Sequence, residues 1–134
     1  MTLPLTEARA QVFKLCADNH ISIIFSRARQ DFTALLDARA ILIKPIKSTI
    51  TYVLCLHEVG HILNPRALNA VNELAAEAQA WKWAQANALY WNTTAEHQKN
   101  TCLHSYLQVN GEPAKSHVFW RVYQKYTERP YKAV

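Results

Sequence analysis

Glycine is nearly absent from this chain, 2 of 134 residues, and proline contributes only 5. So few of either leave little room for flexible linkers, and no repeat or low-complexity segment interrupts the sequence. One compact domain over residues 1–134, with a loose tail after Glu128, is therefore expected. Cysteine is scarce as well. Cys16, Cys55 and Cys102 form an odd, widely spaced set without a C-x-x-C pair. That excludes a disulfide framework or a zinc knuckle and predicts small buried hydrophobes in a reducing compartment. The longest apolar stretches, Ile21 to Phe25 and Ile50 to Leu63, are too short or too interrupted to span a bilayer. The opening Met-Thr-Leu-Pro-Leu-Thr-Glu has neither the basic nor the apolar region of a secretory signal, so a soluble, cytoplasmic protein without membrane attachment is expected. Dense Lys/Arg blocks are missing too. The net charge is +5 and the pI near 9.2, but the bases are dispersed: Arg27 and Arg29, Lys44 and Lys47, then Arg121, Lys125, Arg129 and Lys132. Such scatter predicts a solvated basic surface, not a nucleic-acid interface.

What the chain does have is His57-Glu58-Val59-Gly60-His61, a complete H-E-x-x-H motif inside the apolar run. On a helix, residues four apart stack on one face about 6 Å from each other, so both imidazoles reach a single cation. Glu58, about 100° further around the axis, is placed to take a proton from a water beside that cation. Ile50, Val53, Leu54, Leu56, Val59, Ile62 and Leu63 cover every direction of this helix, which predicts a position in the middle of the domain. Two histidines and a glutamate buried there are costly unless a metal or hydrogen bonds compensate them.

The flanking sequence predicts mainly helices around a small sheet. Leu5, Ala8, Val12, Leu15 and Cys16 have helical spacing, with Pro4 in the first turn and Asp18-Asn19 at the end. Ile21 to Phe25 is a β-branched run short enough for a strand. Thr33 to Leu36 and Ala40 to Ile43 bracket Asp37-Ala38-Arg39 as either a tight hairpin or one irregular strand, giving two or three strands in all. Ser48 is the predicted N-cap of a helix over Thr49 to Leu63 that Asn64-Pro65 stops. A second long helix is predicted from Arg66 to Trp91. Thr93 as N-cap with Glu96 at the third helical position opens another, running to Val109. Pro113 starts a last one, with Val118, Phe119, Val122, Tyr123 and Tyr126 as its stripe. Cys55 is assigned to the core, His20 to an exposed loop, and Trp81 and Trp83 to packing, with Trp81, on the face of Glu77, also able to border a cleft.

Three protein ligands and one open position make a catalytic zinc site. Glu73 and Glu77, 12 and 16 residues beyond His61, share a face of the second helix with Trp81. The residues alone leave both carboxylates in play, with Glu77, a full turn deeper, the better placed if the helices run antiparallel.

The T-x-x-x-x-x-H-E-x-G-H stretch from Thr51 to His61, after an N-terminal helix and a β region ending in Ala-Ile-Leu-Ile-Lys, resembles the minimal domain of the ImmA/IrrE metallopeptidases. Glu77-Ala78-Gln79-Ala80-Trp81-Lys82-Trp83-Ala84 is similar to that family's E-A-N-x-F-A stretch, in which the glutamate is the third ligand; this assigns Glu77 rather than Glu73. Gln79 stands in place of the family's Asn and Trp81 about where Phe is common, and the resemblance covers residues 10–91. It implies an α+β, mainly helical, zincin-like domain of the gluzincin-like type. His57, His61 and Glu77 would hold one Zn²⁺, and Glu58 would act as the base in peptide-bond hydrolysis. It also implies a protein substrate cleaved in trans, such as a helix-turn-helix transcriptional repressor of a phage or mobile element. The alternative is a zinc-stabilised protein-binding module or toxin component with little proteolysis. A neutral donor for the oxyanion is required; Tyr52, Tyr90, His97, His104, Tyr106 and His117 are chemically able and unranked.

Overall fold

The structure, a computed structural model, describes residues 4–26, 32–64 and 70–109, and for 70–74 and 106–109 it describes the backbone alone. Helix α1 (Leu5–Asp18) buries Ala8, Val12 and Cys16 on one stripe. Pro4 lies just outside it as N-cap, with extended backbone, and its carbonyl accepts from the Ala8 N–H at 2.9 Å. His20, exposed and with a φ of 56°, turns the chain into strand β1 (Ser22–Phe25).

Strands β2 (Thr33–Leu35) and β3 (Ala40–Ile43) form an antiparallel hairpin, deciding between the two sequence readings of this region. Arg39, at φ 48°, closes the turn with its N–H on the Leu36 carbonyl, and its Nε donates to the Asn19 carbonyl at 3.0 Å. The guanidinium thus fastens the hairpin tip to the end of α1. The sheet order is β1-β3-β2, with β1 parallel to β3. Ser22 N–H donates to the Arg39 carbonyl and Ser26 N–H to that of Ile43, so odd-numbered residues of β3 turn their peptide groups toward β1. Ala40 and Leu42 therefore face β2, where they meet Leu35 and Thr33. Between those two, Ala34 directs its N–H and C=O away from β3, to an edge unpaired among the described residues.

The motif helix, α2 (Thr49–Leu63), has the bounds that its local signals predict. Ser48 Oγ accepts from the Thr51 N–H at 3.2 Å, while Thr51 Oγ1 accepts from the N–H groups of Ser48 and Lys47, both at 2.9 Å. Thr51 is thus occupied with the helix start. At the other end Asn64 bonds back to the Gly60 carbonyl through its N–H and Nδ2. Nine residues of α2 are buried, including His57, Glu58 and Gly60. Val12, Ile41, Ile43, Leu56 and Trp81 join Tyr52 in the core around it.

Helix α3 (Ala70–Asn87) packs along α2 and ends four residues before the predicted Trp91. The cause is tertiary. Leu89 N–H donates to the buried Tyr52 hydroxyl at 2.9 Å, Tyr52 in turn donates to Gln11 Oε1, and Gln11 Nε2 holds the Asn87 carbonyl at 2.6 Å. Helix α4 (Thr93–Val109) is capped by Asn92, not Thr93: Asn92 Oδ1 accepts from the Ala95 N–H at 2.9 Å. Glu96 accepts from Trp91 Nε1 at 2.8 Å and pairs with Lys99 at 2.7 Å. The predicted helix after Pro113 and the loose tail lie outside the described residues. These elements make the α+β, mainly helical fold with a three-stranded mixed sheet. No helix among the described residues is long and apolar enough to cross a membrane.

Candidate metal centre

His57 and His61 stand one turn apart on α2 and direct both Nε2 atoms to one point, 3.1 Å from each other. Glu77 of α3 meets them there: Oε1 is 3.2 Å from His57 Nε2, and Oε2 contacts His61 Nε2. One ligand atom from each of the three residues lies within 4.8 Å of the others. Two donors each 2.0–2.1 Å from a tetrahedral ion are about 3.3–3.4 Å apart. The two edges at His57 are close to that spacing, so the donor set fits a cation of zinc's size and chemistry. Glu73, the other carboxylate considered, has its side chain outside the described residues.

Close helix packing makes this convergence possible. A Cβ on Gly60 would come 2.8 Å from the Ala80 carbonyl oxygen, so only the bare glycine lets α3 approach α2. That approach brings Glu77, three residues before Ala80, opposite the motif.

Electrostatics follow from this burial. Glu77 is desolvated, which favours its neutral form, but hydrogen bonds and charge from His57 and His61 outweigh that and hold its carboxyl down at about 2. Burial disfavours the charged form of His61, yet Glu77 beside it, with Glu58, raises its pKa on balance. Glu58 is only 5% exposed, and its burial raises its pKa above the ordinary carboxylate value despite the two histidines.

The cluster forms the floor of a cleft of about 240 Å³. Phe32, Thr33, Ala34 and Leu36 line the opposite side, with His57, Glu58, His61 and Glu77 below. This wall leaves no local signal in the sequence, because nothing local indicates which of the two edge strands lies beside α2. Trp81, expected as a packing residue able to border the site from the Glu77 face, is fully buried and stacks on the His57 ring, centroids 4.3 Å apart and planes 25° off parallel. Its position four residues after Glu77 is the signal that points there.

Of the six candidate oxyanion donors, the four whose side chains are described do not line this cleft. Tyr52 is committed to Gln11 and Leu89. The buried Tyr90 hydroxyl has no partner among the described residues and lies elsewhere. His97 is exposed beside Thr101, and His104 is half-buried outside the lining. The Tyr106 side chain and His117 fall outside the described residues. Among the described lining residues the neutral side-chain donor is the Thr33 hydroxyl. No protein-family model, curated protein or solved structure matches the chain.

Proposed function

We propose that the chain is a zinc-dependent peptidase of the ImmA/IrrE type, with His57, His61 and Glu77 as ligands and Glu58 as the proton carrier. The observation that carries this reading is the alignment of two features along one cleft. The peptide group of Ala34, unpaired among the described residues, runs beside the two-histidine, two-glutamate cluster. An unpaired strand edge offers an N–H and a C=O at the spacing of an extended peptide, which adds to it as a further strand. A substrate seated on Ala34 would pass its backbone over the cluster, and this favours peptide bonds over small-molecule esters or amides as the target.

Zinc in this site would supply Lewis acidity and lower the pKa of a bound water toward about 7. The protein's part is positional. His57 and His61 present neutral Nε2 lone pairs, and Glu77 adds one carboxylate oxygen and a negative charge. Glu58, held in the cleft without being one of the three clustered ligands, accepts a proton from water on a carboxylate oxygen and passes it to the departing amine. Burial supports that exchange by stabilising its protonated state. The resemblance adds a substrate class, a regulatory protein such as a helix-turn-helix repressor cut in trans.

Metal analysis of the purified protein is expected to find about one zinc per chain in wild type and in Glu58→Gln, and none in His61→Ala. Glu58→Gln is expected to retain the ion and lose cleavage. Full biological activity of Glu58→Gln would defeat the peptidase reading and leave a zinc-stabilised binding module. Absence of zinc from wild type would defeat both.

A further inference from the structure

The outer nitrogen of His57 is the unusual feature of the cluster. A ring that offers Nε2 to a cation carries its hydrogen on Nδ1, and in metal sites that N–H is almost always donated to a carboxylate, carbonyl or water that fixes the ring. Here Nδ1 of His57 is buried and has no hydrogen-bond partner among the described residues. The ring is instead fixed by flat contact. Trp81 covers one face, with centroids 4.3 Å apart and planes 25° off parallel, while His61 meets it edge-on at 4.5 Å and 78°. The indole is itself braced edge-on by Trp91 at 6.4 Å.

We infer that Trp81 is the positioning residue for His57, its indole plane doing for the ring what an outer hydrogen bond does elsewhere. This rests on the metal reading above. Rotation of His57 about its Cβ–Cγ bond would swing Nε2 out of the cluster, and a stacked indole opposes that rotation. Coordination also draws electron density out of an imidazole, and the electron-rich indole face is attracted to an electron-poor partner. The stack therefore strengthens when the ion binds and contributes to affinity, not only to packing. An aromatic plane is needed; apolar volume alone is not enough.

Two substitutions separate plane from volume. Trp81→Phe keeps a ring against His57, whereas Trp81→Leu fills part of the space without one; both lose core volume. Zinc affinity, measured by competition with a chromophoric chelator, is expected to stay within a few-fold of wild type for Trp81→Phe and to fall about 10- to 100-fold for Trp81→Leu. Equal affinities in the two variants would overturn the proposal and leave the metal site intact. A second measurement does not depend on Trp81→Leu folding. Zinc added to the metal-free wild type is expected to change tryptophan emission with one-to-one stoichiometry, and Trp81→Phe to bind zinc with most of that change gone. Persistence of the full change in Trp81→Phe would show that the indole does not sense the site and overturn the proposal. A wild type that takes up no zinc would overturn the metal reading and this inference together.

Discussion

Gly60 and Ala80 pack backbone to backbone: a methyl group built on Gly60 lies 2.8 Å from the Ala80 carbonyl oxygen and 3.1 Å from its Cα. Those contacts are to main chain, so they cannot be relieved by turning a side chain. Gly60→Ala would gain helix propensity, about 1 kcal/mol, yet forces α3 outward at an overpacking cost of about 1–3 kcal/mol. A net loss of thermal stability by a few degrees is expected, with weaker zinc binding because Glu77 moves with Ala80. Thermal unfolding and chelator competition check both; an unchanged affinity would show that Glu77 tolerates displacement of its helix.

The strand edge makes an asymmetric prediction for proline. At Ala34 the N–H points away from β3, so Ala34→Pro removes no ladder bond. It deletes the donor offered to an incoming peptide, and turnover of a peptide substrate is expected to fall roughly 5- to 10-fold through KM, the equivalent of one hydrogen bond. Zinc content should not change. At Leu35 the N–H faces β3, and Leu35→Pro is expected to disrupt the hairpin. Steady-state kinetics with metal analysis distinguishes the two, and equal damage from both would refute the assigned strand register.

Metal removal should be visible without a substrate. A zinc ion held by the folded cluster and not by the unfolded chain, as proposed, is expected at 100 times its Kd to add about 2.7 kcal/mol of stability. Chelation lowers the melting temperature, zinc restores it in a concentration-dependent way, and His61→Ala responds to neither.

Cys16 gives the chain an alkaline limit. Burial pushes its thiol from 9.0 up to about 11. The folded state therefore keeps this proton to higher pH than the unfolded chain does. The associated stability is complete below pH 9 and is lost as pH rises through 11. Cys55, also buried, is raised mainly by burial. At pH 8 iodoacetamide is expected to label half-buried Cys102 first and to reach Cys16 and Cys55 only on unfolding, as peptide mass mapping would show. Early labelling of Cys16 would contradict its burial.

How much of this is legible in the sequence depends on how local each signal is. Ser48, Thr51 and Asn64 carry their own caps, so the bounds of α2 follow from a few adjacent residues. His57 and His61 share a face by helical spacing alone, and Glu77 needs the resemblance to separate it from Glu73. One error lies where a distant group intervenes. The end of α3 depends on Tyr52, thirty-seven residues before Leu89; at α4 the miss is local, the cap being Asn92 although Thr93 has a similar capping oxygen. The cleft wall depends on the order β1-β3-β2, which no single strand encodes.

Arg39 has one more consequence. By donating to the Asn19 carbonyl it secures the tip of the hairpin to α1, whereas the proposed ligands sit on α2 and α3. In the proposed peptidase, grip on the substrate and chemistry are thus mounted on separate supports. Changes along the seam between Arg39 and Asn19 would widen or narrow the space above Glu58 without moving any ligand. In the proposed peptidase, selection or an engineer has there a way to alter which polypeptide is accepted while the ligand set stays the same.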